Sequence, residues 1–229
     1  HQKGEGTLTK KKVTIKGYFT RFVANGKVKV WHREEKTYFI GYMKDGVRDT
    51  APEGEPPSEL WIDCFNNPSD TQLTFKPKFK KYKGEFKEGK CNGKANIEFP
   101  NGNIYTGECI DAEPDGKGEM IFAPNGDIYN GQWEKGFMAS GKGIYTFSER
   151  NPEFESYCGD FKENKFNGNG KLIYRNKTVY IGQFYLGLRH GMGRESTPDP
   201  RNPSVMKEVY QGMFVNGVKQ GENSIKIDK

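Results

Sequence analysis

One short motif returns along this chain: Tyr, any residue, Gly, any residue and, in most copies, an aromatic residue. The six copies start at Tyr82, Tyr105, Tyr129, Tyr157, Tyr180 and Tyr210. Their glycines are 23, 24, 28, 23 and 30 residues apart, and a second glycine follows each of them after nine or ten residues. A period in this range indicates tandem copies of one small structural unit.

A single unit is typical of two short strands. Tyr82, Gly84 and Phe86 share one face of a strand with a period of two, and residues 93–99 alternate in the same way after a turn at Gly89. Alternation over five to seven residues predicts a strand, and a glycine turn between two such runs predicts a hairpin. Successive units therefore predict an antiparallel meander of hairpins.

The connections and the interior glycines carry two further predictions. Asn101-Gly102 and Asn125-Gly126 predict type I′ turns, in which both central residues have positive φ. Glycine weakens a strand unless another group approaches closely, so the motif glycines are predicted to make room for rings from neighbouring strands. The predicted aromatic face consists of Phe19, Phe86, Phe99, Phe122, Trp133, Phe147, Phe161, Tyr174, Phe184 and Phe214.

This pattern resembles the MORN repeat family (membrane occupation and recognition nexus). The core Tyr-x-Gly-x-Phe/Trp, followed by a turn and Gly-Lys-Gly or a variant, is similar to that motif in 82–147, 157–193 and, more loosely, 210–221. The resemblance implies an all-β fold, an elongated single-layer antiparallel β-meander of tandem hairpin repeats. Residues 4–9 are similar to the second strand of a repeat, which predicts that the sequence is part of a longer protein.

Three regions follow from the spacing of the motif. Residues 1–49 are predicted to hold partial and divergent repeats, with weak motifs at Gly17 and Gly41, and residues 82–229 to hold regular repeats. Residues 50–81 are predicted to be an insertion or a degenerate repeat, whose strands would be 60–65 and 73–75.

The amino-acid composition agrees with a repeat array and indicates the cellular compartment. Hydrophobic residues make up only 33% of the chain and aromatic residues 14%, so rings must supply most of the buried area. No apolar run approaches the roughly 20 residues that span a bilayer. The four cysteines, Cys64, Cys91, Cys109 and Cys158, show no paired spacing, which favours a reduced, cytoplasmic setting. Cys109 takes the aromatic position of its motif and is predicted to be a core residue.

Nothing in the sequence favours catalysis, a cofactor or a metal. Residues 136–143 imitate a phosphate-binding loop, but the required Ser or Thr after Lys142 is Gly143, and a strand pattern follows instead of a helix. The three histidines lie in different units. The carboxylates Glu85, Glu108 and Asp160 are predicted to form solvated cross-strand pairs. Nucleic-acid binding is not predicted, because the aromatic residues occupy packing positions.

Three functions remain open, and the resemblance to MORN proteins implies the first. It is a non-catalytic scaffold, at a cytoskeletal or membrane-associated structure, that binds a protein helix, a peptide or a second copy along an aromatic groove. The predicted groove residues are Tyr105, Tyr129, Trp133, Tyr157, Phe161, Tyr180 and Phe184. The second is binding of a phosphoinositide or another anionic membrane lipid, through Lys76, Lys78, Lys80, Lys81 and Lys83. The third is an accessory repeat domain of a larger enzyme.

Overall fold

The chain folds into hairpins of antiparallel β-strands, in two compact units that comprise residues 1–123 and 124–229. The computed structural model describes residues 3–10, 12–33, 36–62, 78–139 and 141–221. Within these ranges there are nineteen strands. The predicted all-β meander of hairpin repeats is confirmed.

In the first unit nearly every strand pairs with the next one in the chain, and β4 pairs with both β5 and β6. The strands of this unit are β1 (Lys3–Lys10), β2 (Val13–Thr20), β3 (Val23–His32), β4 (Thr37–Lys44), β5 (Val47–Asp49), β6 (Ser58–Ile62), β7 (Lys81–Lys87), β8 (Lys90–Glu98), β9 (Ile104–Ile110) and β10 (Glu113–Phe122).

The second unit continues the same pattern, with β11 pairing first with β12 and then with β13. From β13 onward each strand pairs antiparallel with its successor. The strands of this unit are β11 (Asp127–Glu134), β12 (Phe137–Met138), β13 (Lys142–Thr146), β14 (Phe154–Lys162), β15 (Lys165–Tyr174), β16 (Val179–Tyr185), β17 (Leu188–Asp199), β18 (Asn202–Val215) and β19 (Val218–Lys219).

The two kinds of turn, at the hairpin tips and between the hairpins, differ from each other in their geometry. At the hairpin tip between β7 and β8, Glu88 and Gly89 have φ of 50° and 77°, the pair of positive values that a type I′ turn requires. At Asn101-Gly102 only the glycine has a positive φ, of 86°, and the Gly102 N–H donates to the carbonyl of Phe99 at 3.0 Å. Asn125-Gly126 is alike in having a positive φ at the glycine alone. The type I′ prediction for these two connections was therefore wrong.

The motif glycines make room for the backbone of the partner strand and, in most repeats, for the tyrosine of their own repeat. A Cβ built on Gly131 would lie 2.6 Å from Cζ of Tyr129, two residues earlier in the same strand. A Cβ on Gly143, in the partner strand β13, would lie 2.5 Å from Cε2 of the same ring. The ring thus lies flat across two strands. For Gly143 it belongs to the neighbouring strand, as predicted, whereas for Gly131 it belongs to the same strand, and there the prediction was wrong. The face that carries these tyrosines is called the inner face below, and the opposite one the outer face.

Each motif tyrosine is also bonded to its own strand through its hydroxyl. The hydroxyl donates to the carbonyl oxygen three residues later, and this bond is present in all six motif copies. It joins Tyr82 to Glu85, Tyr105 to Glu108, Tyr129 to Gln132, Tyr157 to Asp160, Tyr180 to Gln183 and Tyr210 to Met213. A buried hydroxyl with no such partner would be costly, so this bond allows a polar ring to fill the core.

The polar residue after the motif glycine stabilises a β-bulge. The Glu108 carboxylate accepts the Lys117 N–H at 2.9 Å, next to Gly116. The Asp160 carboxylate accepts the Asn169 N–H at 3.0 Å, next to Gly168. For these two carboxylates the predicted solvated cross-strand pairing was wrong, because each one satisfies a backbone N–H that the bulge leaves without a ladder partner.

A divergent repeat in the first unit follows the same plan with other residues. Phe39 takes the place of the tyrosine, is 1% exposed, and lies above Gly41. Ser58, on β6, lies opposite Gly41 in place of the second glycine; its hydroxyl donates to the Asp49 carbonyl and accepts the Tyr42 N–H, both at 3.2 Å. Residues 58–62 are thus a strand inside the predicted 50–81 region, whereas 73–75 lie outside the described residues.

Candidate functional site

The seven predicted groove rings lie in the interior of the inner face. Their exposed fractions are 0% for Tyr105, Tyr129, Tyr157 and Tyr180, 1% for Phe161, and 4% for Trp133 and Phe184. Cys109, which replaces the aromatic residue of its motif, is 2% exposed as predicted for a core residue. These side chains form the core of the repeats, and their role in partner binding stays a prediction.

Edge-to-face contacts connect the rings of one repeat to those of the next. Tyr157 contacts Phe161 of its own repeat at 5.2 Å and Phe184 of the following repeat at 5.0 Å, with interplanar angles of 89° and 85°. Such geometry adds about 0.5–1.5 kcal/mol per pair beyond the area buried. Burial raises the pKa of Tyr129 and of Tyr180 to about 12, since the phenolate would be poorly solvated there.

A second set of rings lies over this core in the second unit and is only half-buried. Tyr145 contacts Phe147 at 4.9 Å, Phe147 contacts Phe154 at 5.3 Å, and Phe154 contacts Tyr174 at 5.3 Å. Phe166 stacks on the buried ring of Tyr157 at 3.8 Å and 11° and also contacts Tyr145. These five half-buried residues, Tyr145, Phe147, Phe154, Phe166 and Tyr174, are called the aromatic surface.

Two arginines hold the aromatic surface in place and border it with charge. Arg175 donates to the carbonyls of Phe147 and Ser148 at 3.0 and 2.6 Å, which fixes the loop that carries Phe147. Arg189 lies over the Tyr174 ring at 5.9 Å and pairs with Glu195 at 2.7 Å. The result is an apolar patch with a charged border, an arrangement typical of protein-binding surfaces.

The sequence predicted part of the aromatic surface. Phe147 and Tyr174 belonged to the predicted aromatic face, while Tyr145, Phe154 and Phe166 were missed. Like Phe147 and Tyr174, all three lie outside the Tyr-x-Gly-x-aromatic motif. The alternation of Gly143, Tyr145 and Phe147 was a usable signal, since it places all three on one face.

The predicted lipid-binding lysines are paired with carboxylates wherever the structure describes them. Lys78 contacts Asp111 and Glu113 at 2.9 and 3.1 Å, and Lys80 contacts Glu98 at 2.6 Å. Lys81 and Lys83 share Glu59 at 3.3 and 3.1 Å, and their proximity lowers the pKa of that carboxyl against the opposing effect of its desolvation. Lys76 lies outside the described residues. Lipid binding by this cluster stays a prediction.

The remaining groups of chemical interest are the cysteines and the possible metal ligands. Among the described cysteines, burial raises the pKa of Cys91 to about 12, which keeps the thiol protonated and unreactive. In the parts of the chain that the structure describes, no group of three or more His, Cys, Asp or Glu residues could hold a metal ion. None of the described segments forms a helix long and apolar enough to cross a membrane.

Comparison with known proteins agrees with the repeat geometry. The MORN repeat profile matches residues 82–104, 129–151, 157–179, 180–199 and 210–222. The matched ranges pass over the repeat that starts at Tyr105, in which Cys109 replaces the aromatic residue, although its tyrosine hydroxyl makes the same bond as the others.

Relatives extend the similarity beyond single repeats. The chain is 29% identical over 154 residues to alsin from Mus musculus and from Homo sapiens, which covers 63% of this chain and 9% of alsin. It is 34% identical over 101 residues to ALS2 C-terminal-like protein from Mus musculus, covering 43% of this chain and 10% of that protein. The chain therefore spans about a tenth of the length of these curated relatives. With its repeated motif, its hairpin geometry and its profile matches taken together, the chain belongs to the MORN repeat family.

Proposed function

We propose that this chain is a non-catalytic scaffold module that binds a protein partner, a helix or an extended peptide, on the aromatic surface of its second unit. The observation that supports this most directly is the continuous contact of five half-buried rings with one another. The proposal places the protein in the cytoplasm, at a cytoskeletal or membrane-associated structure. In a longer protein of the kind it resembles, the array would supply binding beside other domains.

The proposed role follows from what half-buried rings do energetically. Aromatic side chains carry a large apolar area and lose little conformational entropy when a partner covers them, because their contacts already fix them. Phe166 stacks on Tyr157, and Phe147 is held by the bonds of Arg175 to its loop. A contiguous apolar patch of this kind on a folded domain commonly marks an interaction site.

Two surfaces, the predicted lysine cluster and the aromatic surface, favour a protein partner over an anionic membrane lipid. The described lysines of the predicted lipid site each contact at least one carboxylate, which reduces the positive potential they would offer to a membrane. The aromatic surface is bordered by Arg175 and by the pair of Arg189 with Glu195, which could orient a polar segment of a partner.

Site-specific photo-crosslinking in cells tests the proposal. A photoreactive phenylalanine analogue replaces Phe154 of the full chain, and a matched variant carries it at Ile181, on the outer face of the same unit and 39% exposed. We expect a discrete protein adduct from position 154 that is absent from position 181. An adduct of equal yield at both positions, or at position 181 alone, would contradict the aromatic surface as the binding site.

A second measurement separates binding from folding. Phe154→Ser and Phe147→Ser each remove one ring of the aromatic surface, while the fully buried Tyr157 stays in place. The photoreactive analogue is placed at Tyr174 in these variants, and we expect both to lose the adduct formed from that position while a cooperative thermal transition remains. An unchanged adduct would show that the rings do not contact the partner. If no adduct forms, and the chain instead co-sediments with anionic vesicles in a way that depends on Lys81 and Lys83, lipid binding replaces protein binding as the proposed function.

A further inference from the structure

The hairpin tip between β2 and β3 holds a bulky ring in a position that is both strained and exposed. Arg21 and Phe22 have φ of 51° and 67°, the two positive values of a type I′ turn, whose second position favours glycine. A positive φ is uncommon outside glycine and rare for a bulky residue. Phe22 is nevertheless 80% exposed, the largest value among the large hydrophobic residues that the structure describes. So little of the ring is packed that it contributes little to the fold.

The other hairpin tips of the chain have a small residue at this position. At the seven other described tips, the second residue with a positive φ is Gly46, Gly89, Ala112, Gly136, Asn164, Gly187 or Gly217. Glycine adopts such a φ without steric cost, so Phe22 lowers stability at a place where most tips carry glycine. Backbone strain that persists at an exposed residue points to a function of that residue.

Two more exposed apolar side chains lie beside Phe22 along the edge formed by the tips. Val23 is 42% and Val47 45% exposed. Val23 lies over Gly46 of the next tip, where an ideal Cβ would be 3.3 Å from its Cγ1, and the Gly46 N–H donates to the Ala24 carbonyl at 2.9 Å. The tips of β2–β3 and β4–β5 are therefore fixed to each other. Phe22, Val23 and Val47 are called the apolar tip cluster.

Positive charge surrounds the apolar tip cluster. Val47 reaches the tip of β7–β8, since its Cγ1 is 2.9 Å from an ideal Cβ at Gly89. The three tips together carry two exposed carboxylates, Asp45 and Glu88. They carry twice as many exposed cations, none of which has an ion-pair partner among the described residues: Arg21, Lys44, Lys87 and Lys90.

We propose that the apolar tip cluster binds a short acidic segment of a partner protein, with the Phe22 ring packed between apolar side chains of that segment. Aromatic residues and arginine are enriched in the cores of protein interfaces, and Phe22 lies directly beside Arg21. Acidic side chains of the segment would complement the cations around the cluster. This surface belongs to the first unit and is separate from the aromatic surface of the second.

The size and charge of the cluster fit other occupants less well. Three side chains expose much less than the roughly 800 Å² that each partner buries in a standard interface, which favours a short segment over a folded protein. A second copy docked about a two-fold axis would bring the same cations against these, and they would repel each other. A flat anionic membrane would face Asp45 and Glu88 as well, whereas a peptide can place its carboxylates at the cations alone.

Selection from a library of random dodecapeptides displayed on phage tests the proposal. The full chain is the target, and its Phe22→Gly variant serves for counter-selection, which removes peptides that bind elsewhere. Calorimetric titration then gives the Kd of the enriched peptides. Phe22→Tyr keeps a ring at the tip. Phe137→Ser is the matched control, because it removes an exposed ring, 52% exposed, from a hairpin tip of the second unit.

We expect the enriched peptides to combine Asp or Glu with large apolar residues. Their Kd should rise about tenfold or more for Phe22→Gly and stay unchanged for Phe22→Tyr and Phe137→Ser. Higher salt should weaken binding, because the cations are exposed. Without peptide, Phe22→Gly should raise the melting temperature by about 2 °C or more, since the strain is relieved. The lost binding would then not be caused by a lost fold.

Several results would overturn the proposal. They are a library that yields no peptide removed by the counter-selection, enriched peptides without acidic residues, and binding that survives Phe22→Gly. A lower melting temperature for Phe22→Gly would show that the ring stabilises the fold and would likewise contradict the proposal. Co-sedimentation with phosphatidylcholine vesicles that Phe22→Gly abolishes, without any enriched peptide, would replace the acidic segment with a membrane interface.

Discussion

At the scale of single residues, the repeat depends on the space above its glycines. The ring of Tyr129 occupies the volume where a Gly131 side chain would be, with Cζ 2.6 Å from an ideal Cβ. We expect Gly131→Val to lower the free energy of unfolding by about 2 kcal/mol or more, because a well-packed ring must move. Urea unfolding checks this, with Gly4→Val as the control, since no atom lies within 4 Å of a Cβ at Gly4. Equal losses in the two variants would show that the ring is not the cause.

The buried tyrosines also predict how stability depends on alkaline pH. The pKa of Tyr129 and of Tyr180 is raised from 10.0 to about 12. The unfolded chain therefore loses these phenolic protons first, and the free energy of unfolding should fall as pH rises from about 10 to 12. Urea unfolding at several alkaline pH values measures this slope, and Tyr129→Phe should make it shallower. Full tyrosinate absorbance in the still-folded protein near pH 10 would contradict the prediction.

At the scale of the hairpin, the bulge needs an acceptor rather than a charge. Gln183 accepts the Met192 N–H at 3.0 Å, just as Asp160 accepts the Asn169 N–H at 3.0 Å. We expect Asp160→Ala to cost about 1 kcal/mol of stability, because a backbone N–H loses its acceptor. Asp160→Asn should cost less, since an amide oxygen performs this role at Gln183. Similar losses for the two variants in thermal unfolding would indicate that the charge is what matters.

Within the hairpin, some features could be predicted from the sequence and others could not. The hairpins were predictable, because side-chain alternation and glycine turns such as Glu88-Gly89 are local signals. The role of Asp160 was not, since the register between β14 and β15 shifts between Gly159 and Phe161, while the alternation of buried side chains along β14 continues unchanged through this point. The exposure of the rings was not predictable either. Tyr157 is covered by Phe184 of the next repeat, whereas Phe154 is not fully covered, and that depends on packing between repeats.

At the scale of the whole molecule, the second unit holds a connected network of rings. In this network the contacts run from Trp133 through Tyr129, Phe161, Tyr157, Phe184 and Tyr180 to Phe214. Repeat arrays are stabilised by contacts between neighbouring repeats, and residues 124–229 contain several of them. We therefore expect residues 124–229 alone to give a β-sheet circular dichroism spectrum and a cooperative thermal transition. A fragment of residues 165–229 splits the stack of Phe166 on Tyr157 and should melt at a lower temperature. A random-coil spectrum for residues 124–229 would contradict this prediction.

The hydroxyl bond that each motif tyrosine makes within its own strand has a consequence for how such a chain can change over evolution. Since donor and acceptor are three residues apart, duplication of a whole repeat copies both, and deletion removes both. No orphaned polar group is left in the interior in either case. Recombination can thus add or remove one repeat at a time. The hydroxyl bonds of the remaining repeats stay intact, so that no second, compensating mutation is needed.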